Sequence, residues 1–164
     1  MSSVATIKRN IIPPHLEVKG GRPLSGILKV SGAKNSSLAL MAAALLTKEK
    51  LLIQNVPQLT DIEVMSEILR NLGAKLTKTN NSIEINSESI NNVELPYELV
   101  HSLRASFFCV GPLLTRLGEA KIPLPGGCNI GARPVDEHIN GLKALGAKVE
   151  VINDVVKAKV STKD

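Results

Sequence analysis

One cysteine in this 164-residue chain is surrounded by residue types that make a sulfur reactive. Cys128 lies in the stretch KIPLPGGCNIGARPVDE, from Lys121 to Glu137. Pro123 and Pro125 stiffen the entry, and Gly126, Gly127 and Gly131 free the middle. The chain can therefore turn sharply there and present backbone N–H groups around the thiol. Arg133 follows, and Pro134 with Asp136 reads as the opening of a helix, where unpaired N–H groups and the helix dipole favour an anion. A sulfur beside a cation and a helix start ionises below the ordinary thiol pKa of about 8.5. The plain alternative for Cys128 is an incidental exposed thiol.

Two further cations stand before apolar helical runs. Lys34 precedes Ser36 to Leu46, almost all Ala, Leu and Ser, a composition of high helix propensity with few polar faces. The helix dipole opposes a cation at that end. Lys34 is either a solvated lysine just before a helix or one that shares an anion with the helix N–H groups. Arg104 is surrounded by Leu99, Val100, Leu103, Phe107 and Phe108 and needs a charge partner, either a protein carboxylate or an anionic ligand. If Lys34, Arg104 and Arg133 converge near Cys128, they make a pocket for a ligand with several negative charges, and phosphates and carboxylates fit. A cysteine hydrolase, with Cys128 as nucleophile and His101 or His138 as base, is the next enzyme class, but no local motif of such enzymes is present. His138, near Ile139 and Leu142, reads equally well as a surface histidine. Cys109, inside an apolar run, reads as a small core residue.

Composition narrows the classes further. The chain is 43% hydrophobic but 2% aromatic, so its core must be built from Leu, Ile, Val and Ala. A net charge of +5 suits anionic ligands. Nucleic acid is not the expected partner, because stacking modules use exposed aromatics and only Tyr97, Phe107 and Phe108 are available. Two cysteines without a CxxC and three histidines give no zinc-site spacing and no disulfide framework. The longest apolar run, Leu38 to Leu46, has nine residues, against the roughly 20 of a membrane helix. Met1 to Asn10 has no apolar segment of the signal-peptide kind, so a cytoplasmic setting without a membrane partner is expected.

The elements that would position these residues repeat. Residues 1–15 read as a polar tail, and residues 16–164 as one partial domain. Ile27 to Val30 is the first strand candidate, followed by the Ser36 to Leu46 helix and a strand from Leu51 to Gln54. Thr60 and Glu63 have the spacing of a capping box, Ile62, Met65, Leu69 and Leu72 make one apolar stripe, and Gly73 is placed to end that helix. Ala74 to Thr77 and Ser82 to Ile85 read as short strands joined by a turn at Asn80-Asn81. A shift of 73 places Leu72-Gly73-Ala74-Lys75 on Leu145-Gly146-Ala147-Lys148, and a shift of 70 places Lys34-Asn35-Ser36 on Arg104-Ala105-Ser106. Tyr97 to Leu114 reads as one helix bent at Gly111-Pro112, and Val155 to Val160 as a closing strand. About two βαβαββ units of roughly seventy residues are therefore expected, in a pseudo-symmetric α/β architecture.

The runs PGGCNIGARPVD, SGAKNSSLALMAAALL and LRAS together resemble the UDP-N-acetylglucosamine 1-carboxyvinyltransferase family, the enolpyruvyl transferases that begin peptidoglycan synthesis. The resemblance runs from Leu16 to the end of the chain. It implies an inside-out α/β barrel of repeated units, with an incomplete domain here. It also implies transfer of the enolpyruvyl group of phosphoenolpyruvate to the 3-hydroxyl of UDP-N-acetylglucosamine with release of phosphate, without a metal or organic cofactor. By the same resemblance, Lys34 and Asn35 match phosphoenolpyruvate contacts. Arg104, Arg133, Pro134, Val135, Asp136 and Glu137 match the side that takes UDP-N-acetylglucosamine. Cys128 matches the catalytic general acid, the sulfur that fosfomycin labels. Two alternatives stand beside this: a truncated, non-catalytic fragment or binding module of the family, with self-association through surfaces left open, and the related shikimate 3-phosphate enolpyruvyl transferase.

Overall fold

The computed structural model describes residues 15–125 and 134–160. Cys128, Arg133 and nearly all of the polar tail lie outside them. Two units follow one another in chain order. The first holds α1 (Lys34–Ala43), a 3-10 turn (Ala44–Leu46), β1 (Lys50–Gln54), α2 (Thr60–Asn71), β2 (Lys75–Lys78) and β3 (Ser82–Asn86). The second holds α3 (Tyr97–Ser102), a 3-10 helix (Arg104–Cys109), α4 (Val110–Leu117), β4 (Glu119–Pro123), α5 (Asp136–Ala144), β5 (Lys148–Ile152) and β6 (Val155–Lys159). Each unit has one three-stranded antiparallel sheet, ordered β1-β3-β2 and β4-β6-β5, so the last strand of each unit is the central one.

The repeat read from the sequence is present at the level of single hydrogen bonds. Gly73 donates to Arg70 O and Ala74 to Leu69 O, both at 2.9 Å; Gly146 donates to Lys143 O at 2.9 Å and Ala147 to Leu142 O at 3.0 Å. Both sets are Schellman closures, in which a residue of positive φ turns the chain so that two otherwise unpaired carbonyls are satisfied. Gly73 has φ +100 and Gly146 φ +93. The strands that follow carry the same offset, Lys75 opposite Asn86 and Lys148 opposite Lys159.

Helices of both units share one aliphatic core. In α2, Ile62, Met65, Leu69 and Leu72 are all buried, as the apolar stripe requires, and Ser66 is buried on the same face by donating its hydroxyl to Ile62 O at 2.7 Å. α1 packs against α2, the 3-10 helix of the second unit and its own terminal 3-10 turn. In the first sheet, Ile83 and Ile85 of the central β3 point into the core, and in the second, Val156 and Ala158 of β6 do the same.

Three local expectations give way. Ile27 to Val30 forms no strand: Ile27 and Leu28 are exposed, and no described strand pairs with them. A strand exists through its ladder, so an extended apolar run without one stays coil. In the second unit the corresponding place, just before α3, keeps a single parallel bridge between Glu94 and Lys121. Thr60 is the first helical residue and not the N-cap: Leu59 takes the cap position without a side-chain bond, and Glu63 pairs with Lys78. The apolar stretch after Pro96 is not one helix bent at Gly111-Pro112. It breaks at Leu103, which is extended (φ −138, ψ 103), and Pro112 falls in the first turn of α4, where its missing N–H costs nothing.

Candidate active site

Lys34 is the first residue of α1, and Arg104 is the first residue of the 3-10 helix that packs against α1. Each follows an extended residue, Ala33 (ψ 124) and Leu103 (ψ 103). The offset of 70 in the sequence thus describes two helix starts in equivalent chain positions, on helices that pack against each other. Ser37 secures the α1 start by donating from its N–H and its hydroxyl to Ala33 O, both at 3.0 Å. Neither helix start has a side-chain cap, so the N–H groups of Lys34, Asn35 and Ser36 are left for other acceptors.

The two cations have different surroundings. Lys34 Nζ lies 2.6 Å from Asp61 Oδ2, which joins the first residue of α1 to the first turn of α2. Asp61 was not singled out from the sequence; its place in the first turn of an acidic helix start is the one signal that points to it. Arg104 is half-buried, not withdrawn from water as the apolar neighbours in sequence suggested, and its Nη2 donates to Pro134 O at 3.5 Å. That contact ties Arg104 to the Pro134 to Glu137 segment across thirty residues of chain. Within the segment, Pro134 is exposed, Val135 is buried, and Asp136 with Glu137 form the exposed first turn of α5. Acidic side chains at that position are favoured by the dipole, which helps explain why the helix opens there.

The structure therefore brings Arg104 to the Pro134 segment and places Lys34 and Asn35 on a helix packed against the Arg104 helix. An open hollow of about 620 Å³ lies elsewhere, lined by Lys29, Val30, Ser31, Gln54, Asn55, Asn81 and Ser82, and includes neither Lys34 nor Arg104. His138 is exposed on α5, with its ring edge against Phe107 at 5.4 Å between centroids; His101 stacks on Tyr97 at 5.6 Å. Cys109 is fully buried, and burial pushes its thiol up to about 12, so it remains protonated and inert. No group of three or more His, Cys, Asp or Glu side chains that could hold a metal ion occurs among the described residues. No described helix is long and apolar enough to cross a membrane.

The sequence profile of EPSP synthase (3-phosphoshikimate 1-carboxyvinyltransferase) matches residues 18–164. The UDP-N-acetylglucosamine 1-carboxyvinyltransferase of Prochlorococcus marinus (strain NATL2A) is 98% identical over all 164 residues, which make up 36% of that protein. The enzyme of the same name from strain MIT 9301 is 61% identical over 146 residues, 32% of its length. Among solved structures, the enolpyruvyl transferase NikO from Streptomyces tendae is similar with a TM-score of 0.72 and 26% identity, over 87% of this chain and 31% of NikO. EPSP synthase from Acinetobacter baumannii shares the fold, with a TM-score of 0.56 at 18% identity over 79% of this chain and 31% of that one. The chain thus spans about a third of the length of the proteins it matches.

Proposed function

Since the chain belongs to the EPSP synthase (3-phosphoshikimate 1-carboxyvinyltransferase) family, we propose that it carries one side of an enolpyruvyl transferase site, for phosphoenolpyruvate and UDP-N-acetylglucosamine. The observation that carries this reading is the 98% identity, over the whole chain, to UDP-N-acetylglucosamine 1-carboxyvinyltransferases. Two equivalent cationic helix starts, on helices that pack against each other, are consistent with it, because a ligand with a phosphate and a carboxylate needs at least two such groups.

In this reading Lys34 and Asn35, with the free N–H groups of α1, take phosphoenolpyruvate. Arg104, Arg133 and the Pro134-Val135-Asp136-Glu137 segment take the nucleotide sugar. Cys128 gives its proton to the methylene carbon of the enol as the sugar 3-hydroxyl adds to the carbon bearing phosphate. Loss of one proton from the resulting methyl group restores the thiol and the double bond as phosphate departs, and the proton of the sugar hydroxyl leaves with the phosphate. In this reading the product enters peptidoglycan synthesis and the reaction runs in the cytoplasm. Fosfomycin, an epoxide, would alkylate the same sulfur.

A second reading rests on the share of the relatives' length that the chain spans, 36%. In it the chain holds phosphoenolpyruvate without turnover. Phosphate release by the purified chain, given phosphoenolpyruvate and UDP-N-acetylglucosamine, separates the two. Release that is lost in Cys128→Ala supports catalysis. Saturable phosphoenolpyruvate binding without release supports the second reading, and neither binding nor release ends both.

A further inference from the structure

We infer that Asp61 is a positioning residue for Lys34, holding its ammonium at the start of α1 where an anionic substrate would meet it. This rests on the reading above, in which Lys34 takes phosphoenolpyruvate. The dipole of α1 repels a cation at its first residue, and the first turn of α1 contains no acidic side chain to offset this. Left alone, the lysine side chain would swing into solvent, where it keeps its rotamer freedom. The neighbouring helix supplies the restraint. Asp61 Oδ2 sits 2.6 Å from Lys34 Nζ, and α2 favours a carboxylate in its first turn.

The other acidic residue of that turn, Glu63, is engaged by Lys78 from β2. Asp61 is therefore the carboxylate of the α2 start that serves Lys34. An ammonium has three donors, and the pair uses one of them, so the rest are available to a ligand. The two side chains are 44% and 36% exposed, so the pair is open to an incoming anion and contributes little to folding. The negative charge of Asp61 is partly offset by the α2 dipole, which limits its repulsion of that anion, and the 2.6 Å contact keeps the lysine within hydrogen-bond reach.

The test uses the full chain labelled with nitrogen-15 at lysine, with Lys34→Arg to assign the Lys34 ammonium signal, and compares wild type with Asp61→Asn. The wild type is expected to give an ordered, slowly exchanging Lys34 ammonium. Asp61→Asn should lose that order and bind phosphoenolpyruvate about tenfold more weakly, with an unchanged urea midpoint. An ammonium signal equally ordered in the variant, or affinity that is unchanged or tighter, overturns the role. A urea midpoint that falls together with the affinity also overturns it, because the residue would then be structural. If the wild type itself fails to bind phosphoenolpyruvate, the ligand reading of Lys34 fails and takes this inference with it. Binding that is indifferent to Asp61→Asn defeats the positioning role alone.

Discussion

The carbonyl oxygen of Asn55 stands 1.6 Å from the point where a Cβ on Gly32 would be built. Gly32 lies two residues before Lys34, and Asn55 follows β1 with φ +57, so the close approach locks the entry of α1 against the end of the first strand. The obstacle is backbone, which cannot rotate aside as a side-chain tip can. Gly32→Ala should destabilise the chain by about 1–3 kcal/mol or more, the range for overpacking, measured as a lower urea midpoint. Gly111 is the control: it lies inside α4 with nothing within 4 Å of its added Cβ, and Gly111→Ala should be neutral or stabilising by up to about 1 kcal/mol.

Gly73 and Gly146 permit a sharper comparison, because they close two equivalent helices with nearly equal φ, +100 and +93. Alanine at either site has to adopt a left-handed conformation, at about 1–2 kcal/mol. At Gly73 the new methyl would also meet Ser89 O at 2.9 Å, whereas at Gly146 nothing lies within 4 Å. Gly73→Ala is therefore expected to lower stability more than Gly146→Ala. Equal losses in urea denaturation would show that the Ser89 contact relaxes at no cost.

These glycines also show which parts of the fold were legible in the sequence. The Leu-Gly-Ala-Lys echo is a local signal: a helix stop and the strand after it depend on residues within one turn of each other, and the structure reproduces both copies bond for bond. The start of α1 at Lys34 was legible for the same reason, whereas the start at Arg104 was not, because the sequence reads as one long helix there. Ile27 to Val30 was misread because strand formation depends on a pairing partner, which no local pattern reveals. The break at Leu103 was missed because Gly111-Pro112 is the stronger sequence punctuation, although proline is harmless in a first turn. Asp61 escaped notice because its partner lies on another helix, 27 positions away in sequence.

Cys109 separates the two thiols of the chain. Its sulfur is wholly buried, and its pKa rises from 9.0 to about 12 through desolvation. In the unfolded chain the thiol ionises first, so between those values the unfolded state binds fewer protons and stability falls as pH rises. The contribution is fully present below about pH 9 and lost on approaching about 12. Cys109→Ala should flatten the alkaline arm of the stability profile. In the folded chain at neutral pH a thiol reagent should leave Cys109 unmodified until denaturant is added; rapid labelling of Cys109 without denaturant would contradict its burial.

Arg116 joins the two units. Its Nη1 group points at three backbone carbonyls of the first unit, Leu45 O at 3.0 Å, Thr47 O at 2.9 Å and Ser87 O at 2.9 Å. Two of these acceptors terminate the 3-10 turn after α1, and the third follows β3, so one guanidinium from α4 gathers chain ends that would otherwise carry unpaired carbonyls. Hydrogen bonds from a charged donor are the stronger kind, and removing the donor leaves the acceptors to be rehydrated in a partly buried place. Arg116→Met, which keeps much of the apolar stem, should therefore cost about 2–3 kcal/mol in urea denaturation. Arg116→Lys should recover only part of this, since a single ammonium on a flexible stem lacks the planar spread of a guanidinium. A methionine variant as stable as the parent would mean that water replaces the guanidinium at all three carbonyls and that packing alone holds the units together.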